Sequence, residues 1–164
     1  MASDDTVPLN VVRRFTEHIA HNKALGMEVT EIARASARFL LRYDAKLVGN
    51  PDTGVLHGGA ITALLDATSG AAVFAALVEW VPIATLDLRI DYLRAAEPGR
   101  DVHAHATCYR VARQVAFTRA VAYHGDEADP IASSVGTFML ATKPGGGPNR
   151  SETGSARLAG AKKP

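Results

Sequence analysis

The residues that invite chemistry lie in one stretch, His57-Gly58-Gly59 followed by Asp66. Gly54-Val55-Leu56-His57-Gly58-Gly59 reads as a glycine-rich loop feeding a helix that runs to about Glu79. The N–H groups at a helix start have no partner inside the helix and carry partial positive charge, so they hold an anion or a polarised oxygen. Two glycines let a ligand come close to that backbone. Asp66 then supplies a carboxylate on a helix whose other residues from Ile61 to Val78 are all Ala, Leu, Ile, Val, Phe, Gly, Ser or Thr. Such a helix is apolar all round and belongs in a core. A carboxylate buried there is costly unless hydrogen-bonded or paired. Thr62, Asp66 and Ser69 stand at i−4, i and i+3 and share one narrow face. The stretch therefore offers an oxyanion-type donor at its start and a carboxylate further along.

Spacing adds a constraint. Gly58 and Asp66 are eight residues apart, roughly 12 Å along a helix at about 1.5 Å per residue. One reacting carbon cannot touch both within one chain. Two copies related by a two-fold axis place the start of one helix beside the middle of the other, an isologous contact. The expectation is an obligate dimer with two shared sites.

The rest of the chain must position this stretch. Residues 7–22 are expected to form a helix, with Thr6 as its cap, Pro8 in its first turn and Val11, Val12, Phe15 and Ile19 at helical spacing. His18 and His21 on it read as solvated histidines rather than a metal pair. Met27 to Ala35 and Ala37 to Tyr43 read as the strands of a hairpin, and Gly49-Asn50-Pro51-Asp52-Thr53-Gly54 as a turn lining the same site as His57. Pro82 is expected to end the central helix. Thr85 to Leu93 alternates, with Leu86, Leu88, Ile90 and Tyr92 on one face and Thr85, Asp87, Arg89 and Asp91 on the other. Simple alternation thus turns Thr85 away from the core. Strands follow at 102–111, 115–124 and 131–142. Consecutive strands with one apolar helix make an α+β domain whose antiparallel sheet curls around that helix. The expected division is a flexible start and helix over 1–22, one domain over 23–142 and a disordered tail over 143–164.

Composition narrows the function classes. A chain of 164 residues is one domain with room for a sizeable core. A formal net charge of +1 implies no nucleic-acid partner. The small residues and Asp66 speak against the helix as a membrane span. One cysteine, Cys108, allows neither an intrachain disulfide nor a cysteine-based metal site. The acidic start lacks a secretory pattern, so a reducing, cytoplasmic location is expected.

The run Asn50-Pro51-Asp52-Thr53-Gly54-Val55-Leu56-His57-Gly58-Gly59 with Leu65-Asp66-Ala67, and the later Thr85-Leu86-Asp87-Leu88-Arg89-Ile90-Asp91-Tyr92-Leu93-Arg94, resembles the hotdog-fold acyl-CoA thioesterases of the phenylacetic-acid-degradation (PaaI-like) type. The resemblance spans roughly residues 22–142. It implies a hotdog fold, a homodimer or dimer of dimers with sites shared between subunits, and hydrolysis of an acyl-CoA thioester without a metal or redox cofactor. It also implies roles, residue by residue. Asp66 matches the carboxylate that activates water as a general base or attacks the thioester itself. Gly58 matches the residue whose N–H polarises the carbonyl. His57 matches a residue that hydrogen-bonds near that carbonyl. Asn50 matches an Asn that helps place the water or the carboxylate, although it stands seven residues before His57 where six is usual. Thr85 lies near a Ser/Thr position beside the water. Arg110 and Arg113, beside a turn, are candidates for the coenzyme A phosphates.

Each residue also has a plainer reading. Asp66 can be a structural carboxylate, the glycines can serve only a tight loop, and Thr62 and Ser69 can bond back to helix carbonyls. His103 and His105 share a strand face and read as surface residues. A hotdog hydratase would pair its carboxylate with a His in motifs absent from the sequence. A non-catalytic acyl-CoA binding module would have little use for Asp66.

Overall fold

The computed structural model describes residues 7–141. The expected flexible start and the tail over 143–164 lie outside the described residues, as does the Thr6 cap.

The chain opens with two short helices, α1 (Leu9–His18) and α2 (Ala20–Leu25), where one was expected. Ile19 breaks them apart with an extended backbone, φ −64° and ψ 118°. The Thr16 carbonyl, which a continuous helix would satisfy from residue 20, instead accepts the Ile19 N–H and the side-chain amide of Asn22. Gly26 ends α2 in the left-handed region, φ 72°, the conformation that favours glycine after a helix. Pro8 occupies the N-cap of α1 rather than its first turn.

Strands β1 (Met27–Ala33) and β2 (Ser36–Leu41) form the expected hairpin. A short 3₁₀ turn, Ala45–Leu47, leads into a two-stranded ribbon of β3 (Val48–Asn50) and β4 (Val55–Leu56). Helix α3 (Gly58–Ala76) follows, then β5 (Ile83–Tyr92), β6 (Val102–Val111), β7 (Val115–Tyr123) and β8 (Ala132–Leu140). The main sheet is antiparallel throughout, in the order β1-β2-β6-β7-β8-β5. It wraps α3, the arrangement expected of a hotdog fold. The sheet's inner face is rich in alanine (Ala37, Ala104, Ala106, Ala116, Ala120, Ala122), all buried. Such small side chains let the helix nest close, and Leu64 and Leu65 of α3 are fully buried against the sheet.

Helix α3 is long and apolar enough to cross a membrane by composition, yet it is the core of this fold. It stops at Ala76, well before Pro82. The β1–β2 turn is the reason. The carbonyl of Ala75 accepts the Ala35 N–H (3.2 Å) and the Arg34 guanidinium (2.7 Å), and that of Leu77 accepts the Val7 N–H (3.0 Å). These donors satisfy carbonyls that a helix end leaves open, and a cation there suits the helix dipole.

Strand β5 departs from simple alternation. Thr85 pairs with Phe138 and Asp87 with Thr137, so Leu86 is an extra residue in a β-bulge. Phe138 and Gly136 face α3, and Thr85 and Leu88 oppose them. Thr85 therefore points inward, and Leu86 is pushed out to 57% exposure.

Candidate active site

His57 caps α3. Its extended backbone (φ −63°, ψ 134°) ends just before the helix, and its Nδ1 accepts the Gly59 N–H at 2.9 Å. An accepting Nδ1 places the proton of a neutral imidazole on Nε2. The glycines around it make room. A Cβ on Gly59 would lie 2.8 Å from Nδ1, and one on Gly49 would lie 2.9 Å from the His57 Cα. The need for glycine at 59 is thus set by the imidazole.

Gly58 is the first residue of α3, and among the described residues no group accepts its N–H. Its carbonyl is well used. The Tyr92 hydroxyl donates to it at 2.7 Å and Thr62 Oγ1 at 3.1 Å, and the two hydroxyls lie 2.8 Å apart. Tyr92 thus fixes the helix start from β5. Sequence reasoning placed Tyr92 only on the inward face of its strand. The missed signal was its hydroxyl, which needs a partner wherever the ring is packed.

Asp66 lies two turns further on. It is half-buried rather than buried, and Thr85 Oγ1 donates to its Oδ1 at 2.8 Å. The bulge at Leu86 makes this contact, so the strand face assigned to Thr85 by alternation is corrected. The polar stripe also divides. Thr62 bonds back to the helix as expected, but Ser69 Oγ is buried without a partner among the described residues, and Thr68 instead donates to the Leu64 carbonyl at 2.7 Å.

Asp66 and Thr85 open onto a cavity of about 400 Å³. One side is the stripe Ala63, Asp66, Ala67, Gly70, Ala71 and Phe74 of α3; Ile83 and Phe138 close the sheet side, and Phe15, Ile19 and Asn22 form the roof. The small residues of the helix therefore leave space as well as permit packing. A shallower depression beside His57 and Gly59 meets this cavity at Ala63 and His21. His21 is exposed, as expected of a surface residue, yet it borders both. Gly58 opens elsewhere, beside Tyr92 and Leu93. Within the chain, Gly58 and Asp66 do not share a cavity.

The remaining candidates lie apart. Asn50 is exposed, and its Oδ1 accepts the Asp52 N–H at 3.0 Å. It is spent on the turn and lines neither the Asp66 cavity nor the His57 depression. Arg110 and Arg113 stand exposed at the β6–β7 turn; neither lines the cavity, and neither forms an ion pair with a described residue. Cys108 is buried, and burial pushes its thiol above the ordinary value, which disfavours a thiolate nucleophile. On the outer face of the sheet, His105 Nδ1 lies 2.5 Å from Glu127 and Nε2 lies 3.0 Å from Ser36 Oγ. Burial pushes the Glu127 carboxyl up, but hydrogen bonds from His105 and Arg38 outweigh it and hold the group below its usual range. This cluster ties the β7–β8 turn to β2 and β6.

Thr85 positions Asp66, and a hydrogen bond to a charged group is worth about 1.5–3 kcal/mol. Thr85→Val is expected to lower kcat/KM at least about tenfold, whereas Thr85→Ser retains most of the activity. Steady-state kinetics on the two variants checks this.

Comparison with known proteins places this geometry. The Thioesterase superfamily model matches residues 53–131, from the glycine-rich loop to the β7–β8 turn. The medium/long-chain acyl-CoA thioesterase YigI of Escherichia coli strain K12 is 34% identical over 141 residues, covering 77% of this chain and 88% of YigI. The chain belongs to the hotdog thioesterase superfamily. It is a thioester hydrolase of the PaaI-like type. A crystal structure of a Pseudomonas aeruginosa protein is 44% identical, with a TM-score of 0.73 over 80% of this chain and 98% of that one. The phenylacetic acid degradation protein PaaI of Thermus thermophilus, in a mutant structure, is 25% identical, with a TM-score of 0.67 over 75% of this chain and 100% of that one. The curled sheet presents the helix start and the mid-helix face of α3 along one strand, β5.

Proposed function

We propose that the protein hydrolyses acyl-CoA thioesters at a site shared between two subunits. The observation that carries this reading is the Asp66 carboxylate, held by Thr85 at the wall of an apolar cavity. Thr85 occupies Oδ1 and leaves Oδ2 for the reaction. Asp66 takes a proton from water, which attacks the thioester carbonyl, or attacks that carbon itself. Either route forms a tetrahedral oxyanion. The partner's Gly58 N–H stabilises it as a preorganised donor. The C–S bond then breaks and coenzyme A leaves as the thiolate; on the first route it takes up the proton that Asp66 removed from water, and on the second route water hydrolyses the mixed anhydride left on Asp66, releasing the free acid and restoring the carboxylate. Arg110 and Arg113 are the proposed phosphate contacts. The acyl chain occupies the cavity beside Asp66, consistent with what YigI is named for.

The sharing rests on the direction of β5. Thr85 lies against Asp66 and Tyr92 lies against Gly58, so β5 runs antiparallel to the first half of α3. Its outer edge is unpaired among the described strands. A ten-residue edge strand is a template for pairing with another chain. Antiparallel pairing of β5 with a second copy, about a two-fold axis between Leu88 and Arg89, sets Thr85 opposite the partner's Tyr92. The partner's Gly58 follows Tyr92 to the mouth of the Asp66 cavity. Pairing of dimers into tetramers rests on no such contact.

The deciding experiment is thiol release from a panel of aryl and straight-chain acyl-CoAs. Turnover of at least one member is expected. Saturable binding of acyl-CoA with no turnover of any member would favour the binding module instead.

A further inference from the structure

We infer, resting on the acyl-CoA reading above, that Phe15 is a gate that sets acyl-chain length. The stripe from Asp66 to Phe74 spans eight residues of α3, about 12 Å along the helix axis. An acyl chain whose thioester sits at Asp66 runs down this stripe, passes Phe138 and Ile83 beside Gly70 and meets Phe74 and Phe15 at its far end. Beyond Phe15 lies a second apolar groove of about 440 Å³, bordered by Val11, Arg14, His18 and Trp80. Among the described residues, Phe15 alone borders both spaces. Its ring is the wall between them.

That wall is built to move. Phe15 is 44% exposed, so its ring is not locked on all sides by the core. It packs edge-on against Phe74 (5.3 Å, 71°) and Trp80 (4.8 Å, 76°), while Phe74 and Trp80 stack face to face at 4.4 Å. Phe74 itself is buried in the core, so it is the fixed side of the wall. Phe15 stands on α1, which ends at the break before Ile19. A chain of medium length stops at the Phe15 ring. A longer one must swing the ring aside and continue into the second groove over Trp80.

The experiment measures kcat/KM on straight-chain acyl-CoAs from butyryl to palmitoyl. Phe15→Ala is expected to raise the palmitoyl-to-octanoyl ratio at least about tenfold, since even a single methylene in an apolar site is worth that much. Phe15→Leu moves it in the same direction by less and serves if the alanine variant folds poorly by circular dichroism. Gly70→Val is expected to move the optimum to shorter chains. A Cβ there reaches only ordinary contact with Ile83 and Phe138, both at 3.8 Å, so the added methyls enter the cavity. Trp80 is the only tryptophan and gives a readout apart from turnover. In Asp66→Asn, long acyl-CoAs are expected to change its fluorescence and short ones to leave it unchanged, and Phe15→Ala added to that variant is expected to lower the chain length at which the change sets in. Unaltered chain-length profiles in folded Phe15→Ala and Phe15→Leu would overturn the gate while leaving the acyl-CoA reading in place. Failure of the wild type on every acyl-CoA would sink that reading, and the gate with it.

Discussion

Asp66→Ala is expected to lower kcat/KM on the best acyl-CoA by at least about a hundredfold, the low end for loss of a catalytic acid or base. The fold should survive. Asp66 is half-buried at a cavity wall, and its described hydrogen bond comes from Thr85, which is itself exposed on β5. Removing the carboxylate strands no deeply buried partner and leaves no closed void in the core. The thermal midpoint should therefore move little, and acyl-CoA should still bind. Asp66→Asn sharpens the test. Its amide oxygen still accepts from Thr85, so the side chain keeps its place while losing both the charge and the basic oxygen. Equal loss in both variants, with binding retained, assigns the effect to the carboxylate's chemistry. Activity within tenfold of wild type in Asp66→Asn would remove Asp66 from the catalytic role.

The sequence made Asp66 visible because a lone carboxylate on an all-apolar helix has few structural excuses. The same reasoning overestimated its burial, since it could not see that Ala63, Ala67 and Gly70 leave one face of α3 facing a cavity. Strand periodicity located β5 but not the extra residue at Leu86. A bulge is a property of the pairing with β8, and no local pattern in Thr85 to Tyr92 announces it. The end of α3 is similar. Pro82 was the local stop signal, but Arg34 and Ala35, some forty residues earlier in the chain, terminate the helix at its carbonyls. Asn50 shows the reverse case. Its side chain found a partner two residues away in Asp52, and that turn holds it on the surface. In α1 the helical period was legible, but which face is buried was not. Val12 and Thr16 point into the core, while Phe15 depends on Phe74 and Trp80, aromatic partners that only the folded chain brings together. What escaped the sequence was in each case set by a neighbour distant in the chain or by a competing local hydrogen bond.

Gly58→Pro carries the other large effect, because it deletes the proposed oxyanion donor and almost nothing else. Proline is favoured at the first position of a helix, where its missing N–H breaks no intrahelical bond. The residue before a proline must be extended, and His57 already is, at φ −63° and ψ 134°. The added Cβ meets the Tyr92 hydroxyl at 3.1 Å, a tight contact that Gly58→Ala reproduces while keeping the N–H. The difference between the two variants therefore isolates the donor. Loss of one such donor costs about a hundredfold to a thousandfold in kcat, so Gly58→Pro should fall that far below Gly58→Ala. The pair Gly58→Pro and Asp66→Ala also tests where the site lies. If Asp66 of one subunit works with the Gly58 N–H of the other, a mixed dimer has one site carrying both lesions and one site carrying neither. Equal amounts refolded together should then recover about a quarter of wild-type activity by random pairing across a two-fold axis. If both groups served one site within a single protomer, every site in the mixture would carry one lesion, and no activity would return.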